Sequence, residues 1–114
     1  MYETAIIGVY ALLPLDNGVA EIKNIAVHND CQGKGIGKLL LNNAIQVASE
    51  KQFETLIIGT ANSSVGQLYL YQKCGFEIAS IKKNFFLENY PDPIFENGIQ
   101  CKHMIIPAKN LENE

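Results

Sequence analysis

The first part of the chain has the hydrophobic pattern of two strands. Residues 5–13 form an apolar run rich in β-branched and aromatic side chains, which predicts a strand covered on both faces. Residues 19–27 alternate between apolar and polar positions until Ile22 and Ile25, which stand three positions apart instead of two. One residue is therefore extra, and the pattern predicts a β-bulge near Asn24.

The middle of the chain has helical spacing. Apolar residues recur on one helical face from Ile36 to about Lys51, which predicts an amphipathic helix, and residues 55–59 have the pattern of a short buried strand. Ser64 followed by Gln67 is the capping-box pattern that starts a helix.

This second helix is expected to end at Cys74 and Gly75. Glycine adopts the left-handed conformation that closes a helix, and Phe76 is then placed to pack back on the last turn.

The last third predicts strands and one long loop. Residues 76–81, 84–87 and 99–106 have strand composition, whereas residues 88–98 contain two prolines and a glycine and are expected to be a loop long enough to be functional. Residues 108–114 are expected to be a polar tail. The order of elements indicates a single mixed α/β domain over residues 1–114.

Composition narrows the classes of function. The 114 residues suit one globular domain, and the net charge of −3, with no basic run longer than Lys82–Lys83, argues against a nucleic-acid partner. No apolar stretch approaches the roughly 20 residues that span a membrane, so no membrane association is expected. The three cysteines form no C-x-x-C pair, which favours a reducing, cytoplasmic location.

A glycine-rich segment precedes the first predicted helix. In Gln32-x-x-Gly35-x-Gly37, the glycines allow close approach of a ligand to the backbone, and free N–H groups at a helix start suit a pyrophosphate. Because the chain has no arginine, a phosphate site must use backbone N–H groups and lysines such as Lys34 and Lys38. A simple tight turn is an equally good interpretation of this segment alone.

A second motif, Tyr71-x-x-x-Gly75-Phe76, lies at the end of the second helix. Together the two motifs resemble those of the GCN5-related N-acetyltransferase (GNAT) superfamily, and the resemblance runs from about residue 6 to residue 106. It implies an α/β fold of the acyl-CoA N-acyltransferase (GNAT) type, a mixed twisted sheet with flanking helices. The family usually has a strand, two helices and another strand before the segment that begins here at Ala5, so the chain is expected to be N-terminally truncated.

The resemblance implies acetyl-CoA as cosubstrate, with no metal. Its bulged strand would bind the pantetheine arm and its glycine loop the pyrophosphate. The implied cofactor-binding residues are Ile25, Ala26, Val27, Gln32, Gly33, Lys34, Gly35, Ile36, Gly37, Lys38 and Asn62. For the last of these, Ser64 is an alternative, because it stands at the spacing from Tyr71 that is usual in the family.

Two residues are implied as catalytic. Tyr71 resembles the family's general acid, which protonates the departing CoA thiolate, although it would also fit as a residue packed on the sheet, and Tyr69 is a nearby rival. Glu21 resembles the glutamate base of the histone-acetylating branch, although a carboxylate there would equally pair with Lys23 or face solvent.

The remaining candidates give weaker signals. His28 with Cys31, and Cys101 with His103, supply at most two ligands each, so no metal site is expected. The loop that carries Tyr90, Asp92, Phe95 and Glu96 either lines the acceptor site, where acidic and aromatic groups suit a cationic amine, or is a simple surface loop.

Three functions follow as hypotheses. The first is acetyl transfer to a primary amine of a small molecule or peptide whose identity the sequence does not give. The second is a truncated acetyl-CoA-binding remnant with little or no activity, and the third is an interaction domain. The apolar first strand lacks its usual neighbours, which predicts a homodimer or larger homo-oligomer.

Overall fold

The computed structural model describes residues 8–27 and 35–111. They fall into two compact units, the first made of residues before Ile57 together with Leu111, and the second of Ile57–Asn110. Strand β3, Thr55–Ile58, begins in the first unit and ends in the second.

The first unit contains a hairpin and a long helix. Strands β1, Gly8–Pro14, and β2, Val19–Val27, are antiparallel, helix α1 is Ile36–Glu50, and the strand order is β1-β2-β3. The elements predicted for this part are confirmed. Its core consists of the buried side chains of Ala20, Ile22, Leu41, Ala44, Ala48 and Leu56.

The predicted bulge in β2 is confirmed. Val9 pairs with Ala26, but the next pair of the ladder joins Ala11 to Lys23, so two residues of β2 stand opposite one residue of β1. The extra residue belongs to the pair Asn24 and Ile25, which is where the alternation of apolar positions breaks.

The expectation that the first strand is covered on both faces is wrong for its described part. Exposure alternates along β1, and Val9 and Leu13 are 50% and 45% exposed. The opposite face is covered by α1, where the Tyr10 hydroxyl donates a hydrogen bond to Asn43 Oδ1. One face of this apolar strand is therefore accessible in the described chain.

The second unit has more and shorter elements than predicted. Strand β8 pairs with β4 and β5, both antiparallel, and lies next to β3, while β6 and β7 form a separate hairpin. The elements are β4, Thr60–Ala61; α2, Val65–Lys73; β5, Glu77–Lys82; α3, Phe85–Asn89; β6, Phe95–Glu96; β7, Ile99–Gln100; and β8, Met104–Asn110.

The strand predicted for residues 84–87 is wrong, because this segment begins the short helix α3. Asn84 has a φ of 59°, in the left-handed region, and its N–H donates to His103 Nδ1 at 2.9 Å. This turn redirects the chain into a helix despite the strand-forming side chains of Phe85 and Phe86.

The strand predicted for residues 99–106 is divided into β7 and β8. The amides of Lys102 and His103 donate to Asn62 Oδ1, at 2.7 and 2.9 Å, and residues 101–103 are not assigned to a strand. The polar tail is also wrong in its first half, because β8 continues to Asn110 and Leu111 is buried. No helix of the described ranges is long and apolar enough to cross a membrane.

The loop predicted for residues 88–98 contains ordered structure. Strands β6 and β7 are joined by Asn97 and Gly98, whose φ values are 54° and 75°. Two successive positive φ angles are typical of the two-residue hairpin turn that Asn-Gly favours.

Candidate active site

Helix α1 begins at a residue without a side chain. Gly35 is its N-cap with a φ of 78°, its carbonyl accepts the Leu39 N–H at 3.1 Å, and the first turn carries no acidic residue. A Cβ added at Gly35 would meet no heavy atom of residues 8–27 or 35–111 within 4 Å. The backbone N–H groups that follow, at Ile36, Gly37 and Lys38, are therefore in a position that suits a bound anion. Gln32, Gly33 and Lys34, together with His28 and Cys31, lie outside the described residues.

The bulged part of β2 belongs to the same unit. Beyond the bulge, Ala26 and Val27 pair with Val9 and Gly8 of β1, and Ile25 lies at the bulge itself. A bulge interrupts the regular ladder, so backbone groups at this point become available to a ligand. The structure thus supplies the irregular strand that the resemblance requires.

Glu21 lies on β2 beside Lys23. The Lys23 Nζ and Glu21 Oε2 atoms are 3.8 Å apart, and the glutamate side chain is 20% exposed. Because Lys23 is 50% exposed and the two charged atoms are well apart, this ion pair is expected to contribute at most about 1 kcal/mol and to hold the carboxylate only loosely. Pairing with Lys23 is one of the alternatives left open by the sequence, and the base role of Glu21 stays a prediction.

Tyr71 is the buried residue of helix α2. Its side chain is only 3% exposed, and burial raises the pKa of its phenol to about 12. Its rival Tyr69 is 66% exposed, with Lys73 Nζ 5.8 Å from the ring centroid. A phenol with a raised pKa is protonated throughout the neutral range, as a general acid must be.

The end of α2 holds Tyr71 from its C-terminal side. The Phe76 N–H donates to the Tyr71 carbonyl at 3.0 Å and the Gly75 N–H to the Gln72 carbonyl at 3.1 Å, while Gly75 has a φ of 97°. These two bonds are those of a Schellman motif. The Tyr71 and Phe76 ring centroids are 6.3 Å apart, which confirms the predicted packing of Phe76 on the last turn.

The side chain of Asn62 hydrogen-bonds to the backbone of a neighbouring segment. Besides accepting the two amides that divide β7 from β8, it donates from Nδ2 to the Gln100 carbonyl at 3.1 Å. Both ends of the carboxamide therefore bind backbone of residues 100–103. This explains why an asparagine stands here without assigning it to the cofactor, and its cofactor role stays a prediction.

The capping box predicted for α2 is wrong. Ser64 is the N-cap, but its hydroxyl makes no capping bond and instead donates to Glu96 Oε1 at 2.5 Å. The preceding Ser63 hydroxyl donates to the same oxygen at 3.3 Å. A partner 32 positions away leaves no signal in the local pattern on which the prediction depended.

The comparisons with known proteins identify the family. Residues 1–76 match the family described as Acetyltransferase (GNAT) family. The chain belongs to this family. GNAT membership accounts for both the glycine loop and the Tyr-to-Phe segment, because the matched residues contain them.

Individual GNAT proteins are similar over nearly the whole chain. A GNAT family acetyltransferase from Elizabethkingia anophelis, solved with acetyl-CoA bound, is 54% identical with a TM-score of 0.90, covering 96% of this chain and 72% of that chain. A Bacillus subtilis acetyltransferase in complex with CoA is 46% identical with a TM-score of 0.94, covering 98% and 74%. The expected fold, a mixed sheet with flanking helices, is confirmed by this similarity.

Among curated relatives, the uncharacterized N-acetyltransferase YvbK of Bacillus subtilis is 52% identical over 98 residues, or 86% of this chain. The chain spans 63% of the length of YvbK. It spans 50% of a putative ribosomal protein bS18-alanine N-acetyltransferase from the same species, which is 29% identical over 75 residues.

No group of three or more His, Cys, Asp or Glu side chains in the described ranges is arranged to hold a metal ion. Cys74 and Cys101 are free thiols, and Cys101 is buried. Sequence reasoning named Cys101 only as a weak metal ligand and missed its contact with the Ser63 hydroxyl, in which the Sγ and Oγ atoms are 2.8 Å apart.

Proposed function

We propose that this chain is an acetyl-CoA-dependent N-acetyltransferase that acts on a primary amine of a small molecule or peptide. The observation that carries the proposal is the placement of Tyr71, a buried residue in the last turn of α2 whose backbone carbonyl accepts the Phe76 N–H. The similarity of the chain to proteins named acetyltransferases favours this function over a cofactor-binding remnant.

The described residues fit acetyl-CoA. When bound, acetyl-CoA supplies the acetyl group as an activated thioester. The first-turn N–H groups that follow Gly35 would bind its pyrophosphate, with the exposed Lys38 adding positive charge. The backbone at the bulge, from Ile25 to Val27, would bind the pantetheine arm.

Two residues of this chain are assigned to the movement of protons. Glu21 accepts a proton from the ammonium form of the acceptor, so that the amine nitrogen has a free electron pair for attack on the acetyl carbon. As the bond between the acetyl carbon and the sulfur breaks, Tyr71 donates its phenol proton to the sulfur, which leaves as CoA, and the phenolate takes up the second proton that the nitrogen loses on becoming the amide. A tyrosine phenol is suited to this step because its ordinary pKa near 10 keeps it protonated in neutral solution while leaving it able to donate to a thiolate.

The acceptor site is proposed to include the segment after α3. Tyr90 and Phe95 are 47% and 62% exposed, and Asp92 is exposed between them in sequence. Aromatic faces and a carboxylate together attract a cationic amine. The acceptor itself is unidentified.

We also propose a cytoplasmic homodimer. The free thiols of Cys74 and Cys101 suit a reducing compartment, and the accessible face of β1, with Val9 and Leu13, is apolar enough for a second copy. Size-exclusion chromatography with light scattering tests the assembly, and a clean monomer over a wide concentration range contradicts it.

Calorimetric titration with acetyl-CoA, followed by an amine panel scored by thiol release, tests the proposed function. Binding in the micromolar range and turnover of at least one amine are expected.

The replacement Tyr71→Phe is expected to lower kcat by about a hundredfold or more with acetyl-CoA affinity nearly unchanged, because the proton donor alone is lost. Tyr69→Phe is the matched control and keeps wild-type kcat. Equal rates for Tyr71→Phe and wild type would exclude Tyr71 as the acid.

A further inference from the structure

One carboxylate oxygen joins two distant parts of the second unit. Glu96 Oε1 accepts hydrogen bonds from Ser64 Oγ at 2.5 Å and from Ser63 Oγ at 3.3 Å, and the Cys101 Sγ atom lies 3.8 Å from it and 2.8 Å from Ser63 Oγ. The two serines lie immediately before α2, whereas Glu96 belongs to β6 and Cys101 follows β7. The carboxylate therefore connects the start of α2 to the β6–β7 hairpin.

The turn of the hairpin makes a second connection to the same place. Asn97 Nδ2 donates to the Ser63 carbonyl at 2.9 Å, next to the Ser63 hydroxyl that Glu96 binds. The donor side of these contacts is buried, because Ser63 is fully buried and Cys101 is 3% exposed, whereas Glu96 itself is exposed. Hydrogen bonds that a charged carboxylate accepts are among the stronger ones in proteins.

Helix α2 is short, so the position of its first residues affects the position of Tyr71 near its end. It has 9 residues, and Tyr71 lies in its last turn. We expect a displacement at Ser64 to shift Tyr71 as well, because backbone hydrogen bonds, beginning with that from the Leu68 N–H to the Ser64 carbonyl, link the few turns between them.

We propose that Glu96 is a positioning residue for acetyl transfer: it holds the start of α2 on the β6–β7 hairpin and thereby fixes the phenol of Tyr71. The role of Tyr71 as acid rests on the proposed function, whereas the contacts of Glu96 do not. The experiment therefore needs readouts that work without turnover.

Reactivity of the Cys101 thiol measures the connection directly. The chain has 3 cysteines, so a Cys31→Ser, Cys74→Ser background leaves Cys101 as the single target of a thiol reagent. Glu96→Ala is expected to raise the labelling rate about tenfold or more, because the local opening of this segment becomes easier. Glu96→Gln keeps an acceptor oxygen in place and is expected to restore part of the protection.

Glu77→Gln, which neutralises an exposed carboxylate of β5, is the matched control and is expected to label like the parent. An unchanged rate in Glu96→Ala would overturn the proposal.

Two further readouts separate positioning from simple support. In protein labelled with ¹³C at the tyrosine Cζ atoms, the Tyr71 resonance is expected to shift in Glu96→Ala and to return towards its position in Glu96→Gln. In the same variants we expect kcat to fall about tenfold and to recover in part, with KM for acetyl-CoA within about twofold of wild type. Faster labelling with an unchanged resonance and unchanged kcat would overturn the positioning role. If the wild-type chain transfers no acetyl group, the proposed function fails, and labelling with the resonance still decides whether Glu96 positions the phenol.

Discussion

The two main helices begin in opposite ways. Helix α1 follows Gly35, which has no side chain, and its first turn carries no acidic residue. Helix α2 follows two serines whose hydroxyls donate to the carboxylate of Glu96. A helix start favours negative charge, and at α2 the chain supplies that charge itself. At α1 the described residues provide no such charge, and a bound anion can provide it. The preference of a helix start for negative charge therefore stabilises the fold at α2 and favours ligand binding at α1.

The largest effect, a loss of acetyl-CoA affinity, is expected from adding a carboxylate at the start of α1. Gly35→Glu brings negative charge to the place proposed for the pyrophosphate and forces a side chain on a backbone with φ of 78°. We expect acetyl-CoA affinity, measured by titration calorimetry, to fall about a hundredfold. Gly35→Ala is expected to add only the strain, about 1–2 kcal/mol, because no atom of the described residues lies within 4 Å of the added Cβ. Wild-type affinity in both variants would show that the anion does not bind at this helix start.

A smaller effect, on the free energy of unfolding, is expected at the end of α2. Gly75→Ala places a Cβ on a residue with φ of 97° and should lower the free energy of unfolding by about 1–2 kcal/mol in denaturant titrations. The Lys109 Nζ atom, 2.5 Å from that Cβ, ends a flexible side chain and can move away. Gly66→Ala, at an open position inside α2, is the control and should stabilise by about 0.5–1 kcal/mol. A Gly75→Ala variant as stable as wild type would contradict the Schellman ending.

The smallest effect is a pH dependence carried by Tyr71. Its folded-state pKa is raised to about 12, whereas the unfolded chain ionises near 10. The stability that comes from the neutral phenol is complete below about pH 10 and is lost as the pH rises towards 12, because only the unfolded state releases the proton in that window. We expect a loss of about 1 kcal/mol between pH 10 and 11 in denaturant titrations. The decrease of the unfolding free energy with pH should be smaller in Tyr71→Phe. An identical decrease in both proteins would show that it comes from groups other than Tyr71.

The features that the sequence predicts correctly are those encoded within a few neighbouring residues. The break in alternation at Ile22 and Ile25 locates the bulge, and Gly75 followed by Phe76 locates the end of α2. Both depend on backbone conformations and contacts between residues close in the chain, which a single sequence records directly.

The features that were missed depend on hydrogen bonds between distant residues. Helix α3 begins where Asn84 meets His103, 19 positions away, and the hydroxyl of Ser64 is taken by Glu96, 32 positions away. The side-chain pattern around each residue favours another structure, a strand or a capping box, and tertiary contacts override it. Likewise the catalytic candidate Tyr71 could be found from its local motif, whereas the positioning role of Glu96 could not.

The fixing of α2 at both ends limits how this segment can change in length. Glu96 holds its start and the Schellman motif closes it immediately after Tyr71, so little slack is left to absorb an extra residue. One residue inserted between Ser64 and Tyr71 would turn the phenol by about 100° around the helix axis, away from its buried site. A deletion would turn it equally far in the other direction. The interval from Ser64 to Phe76 is therefore expected to tolerate substitutions far better than insertions or deletions.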